Sequence, residues 1–77
     1  MITHAALEEL IRNAIPDAAV ETHDRTGTLD HYNIRVTSKA FVGKPLLDQH
    51  RMIYDALASA LKDGRLHAVE LKTEVTR

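Results

Sequence analysis

The sequence predicts an α+β fold in which helices pack on one face of a three-stranded mixed sheet, the elements running α-β-β-α-β. Three observations predict it. Two segments carry apolar residues at helical spacing, and three segments alternate apolar with polar residues. Their order contains one strand–helix–strand crossover, which makes the second and third strands parallel neighbours. No repeat, low-complexity tract or linker interrupts the chain, so residues 1–77 read as a single domain.

Thr3 is suited to cap the first helix, because its hydroxyl can accept a free backbone N–H of the first turn. Leu7, Leu10, Ile11 and Ala14 then fall on one face, and Glu8 and Arg12 lie four apart on the other. The helix is expected to run to about Asn13, since Pro16 disfavours helical geometry at Ile15. Ala19 to Asp24 follows as a short strand. Arg25 to Asp30, with Thr26-Gly27-Thr28, lacks apolar periodicity and is expected to be a mobile hairpin loop. His31 to Ser38 is the second strand, with Tyr32, Ile34 and Val36 on one face and Asn33, Arg35 and Thr37 on the other.

Pro45 occupies a favoured first helical position, and Leu46, His50, Ile53, Leu57 and Leu61 continue an apolar stripe that Gly64 terminates. One long helix is therefore expected. From Leu66 to about Val75 alternation resumes, with His67, Val69, Leu71 and Thr73 on one side and Ala68, Glu70 and Lys72 on the other.

Composition excludes several classes of function. With no cysteine there is no disulfide, thiol catalysis or cysteine-bearing metal site from this chain alone, so any metal must be held by His, Asp or Glu. Ten basic and eleven acidic residues leave a net charge of −1 and no global field for nucleic acid. No apolar run approaches the roughly 18 residues of a membrane span, and no signal-like leader precedes the first helix, which makes the cytoplasm the default compartment, or an organelle if a leader was trimmed. The five histidines are the compositional oddity.

Parallel strands begin at the same end of their sheet, and here one begins with His31 and the other with Leu66-His67. Topology therefore brings two distant histidines towards one edge, and neutral imidazole is a ligand for zinc and for iron. Two histidines cannot complete a tetrahedral site, so outside ligands are required. Strict alternation opposes the pairing, because it puts His67 on the Val69 face and His31 opposite Tyr32; read from the residues alone, a satisfied or exposed histidine is the commoner state for each. His50, on the apolar stripe, reads as a packed and hydrogen-bonded helix residue. His4 reads as inert, and His23, on a strand near the loop, is a reserve ligand. His31 beside Asp30 or Asp24 sketches a general base with an orienting carboxylate, but no nucleophile, phosphate-loop, dinucleotide or H-E-x-x-H motif accompanies it, and no enzyme is expected.

Two stretches resemble the BolA family. Val36 to Tyr54 carries Ser38-x-x-Phe41-x-Gly43, His50-Arg51 and Ile53-Tyr54 in the order and spacing of the family's S-x-x-F-x-G, H-R and V-Y signature. Leu66 to Thr73 is similar to its I-H-A-L-x-L-K-T strand, beyond which relatives commonly have a proline and Glu-Trp where this sequence has Glu74-Val75-Thr76. The resemblance implies a fold like a class II KH domain, often with an extra short helical turn before the long helix. It also implies a partner, a monothiol glutaredoxin, with which such proteins share a [2Fe–2S] cluster held by the glutaredoxin cysteine, a glutathione thiolate and two groups of the BolA protein. Carried over by position, those groups are His67 and His31, with His23 in reserve. The isolated chain is expected to hold no cofactor and to be a monomer or weak homodimer. An alternative that the resemblance brings is transcriptional regulation, with Lys39, Lys44 and Arg51 touching nucleic-acid phosphates. Against it, Gly43-Lys44-Pro45-Leu46 lacks the second glycine of a KH clamp, and few aromatics are available for stacking.

Overall fold

The computed structural model describes residues 1–76. Helix α1 (His4–Ala14) starts where the Thr3 hydroxyl accepts the Ala6 N–H at 3.1 Å, buries Leu7 and Ile11, and sets Arg12 3.6 Å from Glu8 on its outer side. It ends at Ile15, ahead of Pro16, as the proline requires. Strand β1 (Ala19–Asp24) pairs antiparallel with β2 (His31–Ser38), Ala19 opposite Thr37 and Asp24 opposite Tyr32. The central β2 pairs parallel with β3 (Ala68–Val75), His31 opposite Ala68 and Ser38 opposite Val75. The expected mixed sheet is thus present.

Alternation decides which face is covered. Tyr32, Ile34 and Val36 are buried together with Leu7, Ile11, Ile53, Leu57 and Ala60 of the helices, while Asn33 and Arg35 point outward. On that open face Arg35 lies 2.9 Å from Glu74 of β3 and 3.8 Å from Glu21 of β1. No helix among the described residues is long and apolar enough to cross a membrane.

Between β2 and the next helix a 3-10 turn (Lys39–Phe41) sinks the Phe41 ring into the core, its first turn capped by Ser38 Oγ accepting the Ala40 N–H at 3.0 Å. The single long helix expected after Pro45 is instead two: α2 (Leu46–Ala56) and α3 (Ala58–Lys62), separated at Leu57 (φ −96, ψ 1). No Gly or Pro marks that point. The bend keeps hydrogen bonds on both sides, Leu57 N–H to Ile53 and Leu61 N–H to Leu57 at 3.0 Å, and Ile53, Leu57 and Ala60 are all fully buried. Pro45 precedes α2 rather than opening it, and Leu46, expected on the buried stripe, is 61% exposed because the fully buried stripe starts about two turns later, at Ile53. Gly64 does end the helical region, with φ +84 in the left-handed region that glycine tolerates best.

Two boundaries differ in ways that shape the site. Strand β3 begins at Ala68, not Leu66, because the Leu66 N–H still bonds to Ala60 O at 3.0 Å and its side chain is buried under α3. The hairpin loop, expected to be loosely held, is organised by Asp24, whose carboxylate accepts the N–H groups of Thr26, Gly27 and Leu29 at 3.0–3.3 Å. Leu29 in turn accepts the Ile2 N–H, so the start of the chain is tied to the loop.

Candidate metal centre

The β2–β3 register builds the centre. His67 and Ala68 both donate their N–H groups to the Asp30 carbonyl, at 2.8 and 3.1 Å, which fixes the residue before β3 beside the residue before β2. His67 lies outside the strand and is not bound by its alternation, so the objection that put His31 and His67 on opposite faces does not hold. The two rings meet edge to face with centroids 5.8 Å apart.

Beneath them lies the Asp30 carboxylate. One oxygen is 2.7 Å from His31 Nδ1 and the other 3.2 Å from His67 Nδ1. Asp30, His31 and His67 each offer a ligand atom within 4.8 Å of the others. The Thr28 hydroxyl also donates to Asp30, and this bond, then the one from His31, holds the carboxyl below its ordinary range against the opposing effect of burial. An ionised carboxylate only accepts, so His31 Nδ1, hydrogen-bonded to it at 2.7 Å, carries the hydrogen, and His67 Nδ1 lies in close contact with the other oxygen. With Nδ1 turned to the carboxylate, Nε2 is the ring atom left to face outward, the arrangement of a histidine ligand oriented by an outer carboxylate. Exposure agrees with that division: the Asp30 side chain is 16% exposed, against 38% for His31 and 56% for His67. Asp30 was the residue that sequence reasoning valued only as a catalytic orienter; its adjacency to His31 was the available signal.

The family model for BolA-like proteins matches residues 4–77. The chain belongs to the BolA-like family. It is 36% identical over 69 residues to BolA-like protein 2 of Mus musculus, covering 87% of this chain and 78% of the mouse protein. It is 31% identical over 80 residues to the DNA-binding transcriptional regulator BolA of Escherichia coli (strain K12), covering 95% and 75% of the two chains. A bol-like protein from Babesia bovis superposes with a TM-score of 0.82 at 26% identity, over 97% of this chain and 86% of that one.

Other residues nominated from the sequence lie elsewhere in this BolA-like fold. His23 is exposed on the open face of β1, opposite Asn33, where with Glu21, Arg35, Glu70 and Lys72 it lines a shallow trough of about 500 Å³. It is not among the three grouped residues. His50 is half-buried on α2 and its ring makes no hydrogen bond among the described residues, contrary to the expectation of a bonded core histidine. His4, read as inert, packs locally: its Nδ1 is 2.6 Å from the Thr22 hydroxyl, and its ring lies edge-on to Tyr32 at 5.1 Å. Lys39, Lys44 and Arg51 are exposed. Lys39 follows the far end of β2, on the order of 25 Å from His31 by strand rise.

Proposed function

We propose that this BolA-like chain pairs with a monothiol glutaredoxin and contributes His31 and His67 to a shared [2Fe–2S] cluster, in iron–sulfur trafficking or iron and redox sensing in the cytoplasm. It acts as an adaptor and catalyses no reaction. The single observation that carries this reading is the Asp30 carboxylate between two imidazole Nδ1 atoms, which leaves both Nε2 atoms available to a metal. The donor set fits the cofactor: imidazole replaces thiolate in known cluster types, this chain has no cysteine to offer, and two side chains leave room for two thiolates from the partner complex. The cluster supplies one-electron chemistry, and histidine ligation raises its potential relative to thiolate alone. The chain's own residues bind and orient. Asp30 fixes the tautomer, the shared carbonyl contact holds the His67 backbone in place, and the exposed rings face outward to a second protein.

Co-expression with a monothiol glutaredoxin, followed by an absorption spectrum of the purified pair, tests partner and cofactor together. A chromophore that requires both proteins is the expected result; the same spectrum from the glutaredoxin alone removes His31 and His67 from the cluster. A second reading has one observation in its favour, the E. coli relative named as a DNA-binding regulator. In it, exposed Lys39, Lys44 and Arg51 contact phosphates, and duplex binding falls steeply with salt. Titrating a labelled duplex at two salt concentrations separates it from the first reading.

A further inference from the structure

The hydrogen bonds that join β3 to β2 leave the other side of β3 open. Ala68 donates its N–H to Asp30 O and Thr76 donates its N–H to Ser38 O, one at each end of the parallel ladder. Even-numbered residues therefore face β2, and the N–H and C=O groups of Val69, Leu71, Thr73 and Val75 point to the free edge. Among the described residues no backbone group outside the strand takes them up. An eight-residue open edge is a template for another strand.

The side chains of this strand are self-complementary about Leu71. In an antiparallel pairing with a second copy in which Leu71 faces Leu71, Glu70 faces Lys72 of the other copy, twice, and Val69 faces Thr73. The odd-numbered residues then exchange hydrogen bonds, and the Glu70–Lys72 pairs occupy the non-hydrogen-bonded positions where cross-strand side chains come closest. Moving the centre by one residue puts Glu70 against Glu70 or Lys72 against Lys72, which repel. Centring on Thr73 restores opposite charges but pairs only the short stretch from Leu71 to Val75 and uses Glu74, which is already bonded to Arg35. The edge of β1 offers no such match, having Glu21 and Asp24 but no lysine or arginine.

Exposed apolar side chains gather on the same flank. Apart from Met1, the large exposed hydrophobic residues are Val42, Leu46, Leu47, Tyr54 and Val75, all on β3, α2 or the turn leading into α2. Helix α2 is tied to β3 by the Thr73 hydroxyl donating to Gln49 Oε1 at 2.6 Å. A two-fold axis normal to the sheet keeps both α2 helices on one face of the joined sheet.

We infer that the free edge of β3 pairs with β3 of a second copy of this chain, antiparallel and centred on Leu71, to give a two-fold dimer with a continuous six-stranded sheet.

Charge reversal tests both the dimer and its register. Sedimentation equilibrium over a concentration series is run on wild type, on Glu70→Lys, on Lys72→Glu and on an equimolar mixture of the two variants. Wild type is expected to dimerise. Each variant alone, with like charges across the seam, dimerises at least about tenfold more weakly, and the mixture recovers near wild-type affinity because each variant complements the other. Melting curves check that the variants fold; Glu70→Lys removes only the exposed 3.7 Å pair with Arg25. Amide exchange supplies the register, with Leu71 and Thr73 N–H groups gaining protection as concentration rises while Glu70 and Lys72 do not change. A wild type that stays monomeric to millimolar concentration overturns the proposal. So does a folded pair of variants whose mixture fails to recover affinity, and so does Leu71 protection that appears only on adding another protein, which gives the edge to a partner strand.

Discussion

The two ends of β2 are each held by an aspartate that joins two groups, yet the two aspartates do different work. At the end of the strand Asp17 accepts the Ser38 hydroxyl at 2.5 Å and the Lys39 N–H at 2.9 Å. Ser38 is fully buried, so this carboxylate closes the fold where β2 turns into the 3-10 segment. At the start Asp30 joins the rings of His31 and His67, both substantially exposed. The difference lies in what the carboxylate meets. A buried hydroxyl and an amide, both satisfied, make a joint, whereas imidazoles whose second nitrogen faces outward are what the proposed cluster site would use.

Substitutions at the two ends should separate these roles. The largest effect is expected for His67→Ala, which removes a proposed ligand and should weaken cluster retention in the proposed glutaredoxin complex by more than about 100-fold, since loss of an outer partner alone costs about 10- to 100-fold. The exposed ring contributes little packing, so unfolding should change by at most about 1–2 kcal/mol. Cluster spectra and urea melts on one preparation check both. Asp30→Asn should follow with about a 10- to 100-fold loss of cluster retention, because an amide removes the charge beside both Nδ1 atoms and can turn an N–H towards them. If it instead lowers only the melting temperature, the start of β2 is a joint like its other end.

At that other end the order of effects inverts. Asp17→Ala strands the buried Ser38 hydroxyl and should lower the melting temperature by roughly 4–8 °C while leaving the cluster spectrum unchanged. The pH dependence follows from the same contact. The Ser38 hydroxyl, then the Lys39 N–H, hold the Asp17 carboxyl below its ordinary range. Its contribution is therefore complete above the unfolded carboxylate range and is lost as pH falls through the lower folded value. Asp17→Asn should flatten that acid limb in urea melts taken at successive pH values. The smallest effect is expected for His50→Ala. Half-buried and without a hydrogen bond to its ring among the described residues, it should cost about 0.5–1 kcal/mol, and a larger loss would reveal a bond formed only in solution.

The order of strands and main helical regions was legible in the sequence, because local periodicity is set by the chain itself: alternation over His31 to Ser38 suits a half-buried strand and the spacing over Leu7 to Ile11 an amphipathic helix. The same periodicity, with the crossover rule, determined that β2 and β3 are parallel and that His31 and His67 come to one end. Tertiary structure decided the rest. The bend at Leu57 has no local breaker and answers to the packing of Ile53, Leu57 and Ala60. The start of β3 moved to Ala68 because Leu66 is held by Ala60 of α3, a contact between residues that no strand pattern encodes. That shift released His67 from alternation and let the Asp30 carbonyl place it over the Asp30 carboxylate. A ligand pair depends on side-chain direction to within a few ångströms, and direction at a strand's first residue is set by what the neighbouring elements bond, not by the residues on either side of it.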